Sequence, residues 1–223
     1  MSTGMQLLDR IELRRFVGRE FLLWLWFESE VFEATLETKK HGSFGLWMEG
    51  RLVLSEGKES TTIKGSSPGQ HREAKEALLR GKLPERAGLH LSWGDHESTL
   101  TLKGEAMALA GVTLPTKLDK AEPATPNLLA PPPPPRKKKR GGDAPRADDA
   151  EVEAFYERMH FAREVEGLVT ALYREFLAVR LSPSWKSHVV PALEAWVRGK
   201  RVDVERYRAA RGRAIARAPK RAS

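Results

Sequence analysis

The chain has 223 residues, 40% of them hydrophobic and 30% charged, with a formal net charge of +8 and no cysteine. The absence of cysteine removes disulfides, thiolate nucleophiles and cysteine-based zinc sites together. The most apolar stretch, Phe21 to Phe27, has seven residues, against the roughly 20 a membrane-spanning helix needs. Met1-Ser2-Thr3-Gly4 shows no basic-then-apolar leader pattern. The expectation is a cytoplasmic protein, associated with the nucleoid if it binds DNA.

In chain order, Gly18-Arg19-Glu20 leads into Phe21-Leu22-Leu23-Trp24-Leu25-Trp26-Phe27, which is apolar on every side. Its flanks, Glu20, Glu28 and Glu30, predict a buried helix rather than a strand. Val31 to Thr38, Phe44 to Leu54 and Ser60 to Lys64 then alternate apolar and polar residues. Glycine-bearing turns such as Glu56-Gly57-Lys58 separate the later runs. These runs predict antiparallel strands. Ser67 and Pro68 predict a helix start, with Ser67 as cap, Ala74, Ala77 and Leu78 on one face, and an end at Gly81. Gly88 to Trp93 and Ser98 to Lys103 alternate around Gly94-Asp95-His96-Glu97, the clearest hairpin in the chain. Ala106 to Leu114 closes this part as a strand or short helix, and Pro115 stops it.

Residues 119–148 read as a linker. Pro123, Pro126 and Pro131 to Pro135 impose extended conformations, and Arg136-Lys137-Lys138-Lys139-Arg140 follows. Such a composition predicts disorder. Asp148 and Asp149 suit a helix start. From there Phe155, Met159, Ala162, Val165, Val169, Leu172, Phe176 and Val179 recur at helical spacing up to Pro183. Ser184 can cap a second helix, Trp185 to Val197, kinked at Pro191. A basic stretch from Val202 to Arg217 is weakly helical. The predicted fold class is α+β: an antiparallel sheet with two helices, a disordered linker and a helical C-terminal segment. The predicted parts are 1–118, the linker 119–148, a helical hairpin 149–198 and a basic tail 199–223.

The charge is unevenly spread. Residues 1–135 carry 17 basic and 18 acidic groups, and residues 198–223 carry ten basic and two acidic. Blocks of this kind suit anionic polymers, because each phosphate neutralised releases a counterion. A solvated tail that keeps the protein soluble has the same composition.

Searching for chemistry yields little. None of the six histidines forms a His-x-x-x-His pair. Glu157 and His160 give one Glu-x-x-His spacing, whereas a di-iron bundle needs two and further glutamates. Asp95-His96-Glu97 reads as an exposed turn. Ser55-Glu56-Gly57-Lys58 matches Ser-x-x-Lys but lies in a turn between strands. Gly65-Ser66-Ser67-Pro68-Gly69 is a weak candidate anion-binding helix start, and a plain cap explains it better. Trp24 and Trp26 belong to a core run. The faces of Trp47 and Trp93 are open, and exposed tryptophans can stack on bases.

One longer pattern resembles a known family. Gly18 to Trp26, a strand-rich stretch, Glu73-Ala74 to Gly81-Lys82, Leu89-His90-Leu91-Ser92-Trp93 and Leu100-Thr101-Leu102 together resemble the C-terminal half of the recombination-associated RdgC family, over residues about 5–116. The resemblance implies DNA binding without strong sequence preference, a ring-shaped dimer around DNA, and limited access of the recombinase RecA. That family's N-terminal half has no counterpart here, and the linker and helical segment are additions.

The expected function is therefore a non-catalytic DNA-associated protein. Its phosphate contacts are expected at Arg136, Lys137, Lys138, Lys139, Arg140, Arg206, Arg208, Arg211, Arg213 and Arg217. DNA is the expected partner and a homodimer a further one, with no cofactor, metal, membrane or small-molecule substrate. The alternative is a scaffold protein that pairs through the long C-terminal helix and the polyproline run. A shared surface for Arg19, Lys64, Arg72 and Lys82 would move DNA contact into the first domain.

Overall fold

A computed structural model describes residues 18–94, 96–105, 108–113 and 147–218. The chain there opens with α1, Gly18–Val31, in which every residue from Phe21 to Phe27 is buried. A helix apolar on all sides needs protein on all sides. The sheet covers one side of α1 and the C-terminal helices cover the other. The helix ends at a reversal where Glu33 and Ala34 adopt φ of 51° and 62°. The Ala34 amide donates to the Ser29 carbonyl at 2.6 Å and the Phe32 amide to the Glu28 carbonyl at 2.9 Å. The strand expected from Val31 therefore starts only at Thr35. Val31 belongs to the helix, and this left-handed pair has no signature in an alternating pattern.

The sheet contains β1 (Thr35–Thr38), β2 (Gly42–Glu56), β3 (Glu59–Gly65), β4 (Leu83–Trp93), β5 (His96–Lys103) and β6 (Ala108–Ala110). All pairings are antiparallel, in the order β1-β2-β4-β5-β6, with β3 also on β2. The long β2 pairs β1 through Gly42 to Gly45 and β3 through Gly50 to Glu56. Leu46, Met48, Leu52, Leu54, Ala87, Leu89, Leu91, Leu100 and Leu102 are buried under α1. Between Met48 and Leu52 the β2–β4 register shifts, and β2 bulges over Gly88. A Cβ at Gly88 would lie 2.1 Å from the Glu49 carbonyl oxygen, so only glycine fits.

A 3₁₀ turn, Pro68–Gln70, precedes α2, Arg72–Leu79. Ser67 makes no side-chain capping bond, contrary to expectation. The intervening turn places the helix start at His71 instead. Beyond α2, Gly81 takes φ of 89°. The amides of Gly81 and Lys82 donate back to Leu78 and Ala77, satisfying the last helical carbonyls.

The C-terminal segment comprises α3 (Ala147–Arg180), a π-helical turn (Trp185–Val189), α4 (Val190–Val197) and α5 (Val204–Arg217). Pro191 sits in the first turn of α4. It has no N–H for the carbonyl one turn back, and the turn before it opens to π geometry. The helix expected from Trp185 to Val197 is thus two pieces. The stretch expected to be weakly helical is a 14-residue helix capped by Asp203, whose carboxylate accepts from the Arg206 amide at 3.0 Å.

Phe161, Val165, Leu168, Leu172, Phe176, Leu193, Val197, Tyr207 and Ala214 join α1 and the sheet in one hydrophobic core. The Phe176 ring lies 5.5 Å from Phe21 and 5.6 Å from Trp24, and Trp196 lies 5.0 Å from Trp26. The architecture is three layers: sheet, α1, and C-terminal helices. Residues 199–218, expected as a tail, place Tyr207, Ala210 and Ala214 inside that core. The linker, with Arg136 to Arg140, lies outside the described residues.

Candidate nucleic-acid interface

The glutamates of α1 explain where several C-terminal cations go. Glu20 is buried and accepts from Arg180 Nε at 2.8 Å. Glu28 is fully buried. Its Oε1 accepts from the Tyr207 hydroxyl at 2.6 Å and lies 2.8 Å from Arg211 Nε, at ion-pair distance but off the hydrogen-bonding direction. Arg211 Nη2 donates to Glu175 at 2.8 Å, and Trp24 Nε1 donates to the Tyr207 oxygen at 2.9 Å. Burial pushes the Glu28 carboxyl from 4.5 up to about 7, against the pull of Arg211 and the Tyr207 hydrogen bond. Burial, then the neighbouring Glu28 carboxylate, holds the Tyr207 phenol well above its ordinary value, so it remains a donor.

Glu30 forms a second knot. It accepts from Trp26 Nε1 at 2.6 Å, Trp196 Nε1 at 2.8 Å and Lys75 Nζ at 2.8 Å. The Lys75 ammonium lies 3.1 Å from the Trp196 ring centre and 4.7 Å from that of Trp26. Burial lowers Lys75 from 10.5 to about 8, while Glu30 opposes the shift. Both knots fasten helices together.

The expected phosphate contacts on α5 therefore divide. Arg211 faces inward and serves the Glu28–Glu175 network, which corrects its assignment as a phosphate contact. Arg208 is exposed but paired with Glu205 at 2.9 Å. Arg206, Arg213 and Arg217 are exposed. At about 100° per residue they fall within about 40° of one another around the helix. Arg198, Lys200 and Arg201 are exposed just before α5.

In the first domain, Arg19 reaches Glu105 at 2.7 Å, Arg72 reaches Glu76 at 2.8 Å, and Lys82 reaches Thr61 at 3.1 Å with Glu59 at 3.6 Å. These three are neutralised locally and make no shared basic face with Lys64. A different set does. Directly paired residues of an antiparallel sheet point to the same side. Arg51 pairs with Lys64, Arg86 pairs with Lys103, and Val53 pairs with both Arg86 and Thr62. All four cations lie on the sheet face opposite α1, and none has an ion-pair partner among the described residues.

Two rows along the same face, Trp47 pairs with His90 and His90 with Thr99. The Trp47 and His90 rings stack 4.1 Å apart at 12°. Glu49 lies 2.5 Å from His90 Nδ1, and Glu97 lies 3.7 Å from Nε2. Trp93 instead sits against the core and meets His41 edge-on at 5.2 Å. Arg86 precedes the strand expected from Gly88, and β5 starts two residues before the expected Ser98, so the pairing of Arg86 with Lys103 comes from the structure alone.

A cleft of about 420 Å³ opens beside β2, lined by Trp26, Glu30, Glu33, Trp47, Ser67 and Gly69 among others. Its most buried acid, Glu30, is already occupied by two indoles and Lys75. Among the described residues no group of three or more histidines and carboxylates could hold a metal ion, and Glu157 and His160 are both exposed on α3. Comparison of the chain with protein-family models, curated proteins and solved structures finds no match.

Proposed function

We propose that the protein is a non-catalytic DNA-associated protein that holds the phosphate backbone on ordered basic surfaces, without strong sequence preference. The observation that carries this reading is the quartet Arg51, Lys64, Arg86 and Lys103 on the sheet face opposite α1, none of it neutralised by a described carboxylate. The exposed arginines of α5 add a second group of contacts. The same face carries the half-buried Trp47–His90 stack, whose rings could contact an unstacked base. The resemblance of residues about 5–116 to the RdgC family extends the proposal to recombination, where such a protein would occupy DNA that a recombinase otherwise coats.

The test is binding of a labelled duplex of arbitrary sequence over a salt series. The reading predicts affinity that falls steeply with salt, and equal affinity for unrelated sequences. An absence of binding at low salt, or binding indifferent to salt, would overturn it.

A further inference from the structure

The edge of β2 that faces away from β4 is covered in two pieces. β1 pairs with it up to Gly45 and β3 from Gly50 onward, so Leu46 to Glu49 meet no strand there among the described residues. The Leu46 amide still reaches the Ala34 carbonyl, at 2.8 Å. Backbone direction alternates along a strand, so the Met48 amide and carbonyl point to that same side, into the gap. The cleft of about 420 Å³ lies here, lined by Trp47, Met48, Glu30, Glu33, Ser67 and Gln70 among others. Its volume falls within the roughly 300–1,000 Å³ of ordinary binding sites. One wall is the 3₁₀ turn, seated so closely on α1 that a Cβ at Gly69 would lie 2.3 Å from Trp26 Nε1.

The lining has a definite chemistry. His90, on β4, stacks on one face of the Trp47 ring, which leaves the other face toward the cleft. Indole faces attract cations. Glu33 is exposed and has no ion-pair partner among the described residues. Glu30 supplies a second carboxylate, already paired with Lys75. No basic residue lines the cleft among the described residues, although the chain as a whole carries +8. We propose that the cleft binds an extended basic peptide, added as a short strand at Met48, with an arginine side chain laid between the Trp47 ring and Glu33. Strand addition at a sheet edge draws affinity from backbone hydrogen bonds and selectivity from the pocket beside them. The added residue that sits next to Trp47 places its side chain on the same side of the sheet as the indole. A planar guanidinium both stacks on an indole and forks onto a carboxylate, which favours arginine over lysine. An acid-lined cleft repels phosphate, so the site is separate from the proposed DNA surface and does not depend on that reading.

Calorimetric titration of the full chain with the capped peptide acetyl-Thr-Val-Arg-Val-Thr-amide tests this. The parent should bind one peptide per chain in the sub-millimolar range. The same peptide with citrulline in place of arginine keeps the shape and loses the charge, and should bind at least about fivefold more weakly. Glu33→Gln and Trp47→Leu should each weaken the arginine peptide by a similar factor. Glu33 is exposed, so Glu33→Gln should keep the parent's Tm and decides the matter even where Trp47→Leu fails to fold. An absence of saturable binding overturns the proposal. A citrulline peptide that binds equally well, or binding indifferent to Glu33→Gln, overturns it too. Acetyl-arginine-amide that binds as tightly as the peptide overturns strand addition at Met48.

Discussion

Tyr207 donates its hydroxyl to Glu28 at 2.6 Å across 179 residues of sequence, at a site closed to solvent. The same oxygen accepts the Trp24 indole N–H. This contact makes the basic C-terminal helix a structural part of the body. Deleting residues 198–223 should therefore strip cover from Trp24 and Glu28 and unfold the chain, lowering Tm sharply instead of merely weakening DNA binding. Point reversals of exposed arginines are the sound way to probe charge. A truncated chain that melted like the parent would contradict this role for α5.

Arg211 is the cation that accompanies Glu28 into the interior. Arg211→Ala leaves a buried acid with one polar partner fewer and should cost about 3–5 kcal/mol. Tyr207→Phe removes a donor to Glu28 and an acceptor for Trp24, and should cost about 1–3 kcal/mol. Urea unfolding measures both. The two changes share Glu28, so the double variant should lose less than the two losses added together.

The raised Glu28 carboxyl makes stability depend on pH. The folded group titrates at about 7 and the unfolded group near 4.5, so between these values the folded state holds more protons. The Glu28 contribution is then fully present below about 4.5 and is lost as pH rises through about 7. Glu28→Gln cannot titrate and should flatten that part of the curve. Urea midpoints at pH 4.5, 6 and 8 in parent and variant check this. An unchanged slope in the variant would show that another group sets it.

Gly88→Ala should be poorly tolerated, because the new methyl would meet the Glu49 carbonyl at 2.1 Å. The bulge must open or the strands must shift, at a cost of about 1–3 kcal/mol. At Gly57, where an added Cβ meets nothing within 4 Å, only the backbone φ of 58° opposes alanine. Thermal unfolding of the two variants should rank Gly88→Ala as the worse.

Periodicity carried much of this fold. The all-apolar run with its acidic flanks read as a buried helix, and alternation around Gly94 marked the β4–β5 hairpin, although Trp93 pairs with His96 and β5 starts two residues before the expected Ser98. The end of α1 was hidden because Glu33 and Ala34 are neither glycine nor asparagine, yet occupy left-handed backbone. The role of α5 was hidden for another reason. Ala210 and Ala214 are weakly apolar, and arginines surround Tyr207, so composition pointed to a solvated tail. Only the partner acids on α1 and α3 reveal that Arg211 faces inward. The sheet cations were missed because Arg51, Lys64, Arg86 and Lys103 are scattered in sequence and are gathered by strand pairing alone.

The most direct test of the proposed binding surface compares three chains in the same duplex-binding salt series: the parent, Arg86→Glu with Lys103→Glu, and a chain with residues 136–140 neutralised. The proposal predicts that the sheet variant binds any duplex more weakly and loses about two from the log–log salt slope, while keeping the parent's stability. A sheet variant that binds like the parent, with binding lost only when residues 136–140 are neutralised, would contradict it.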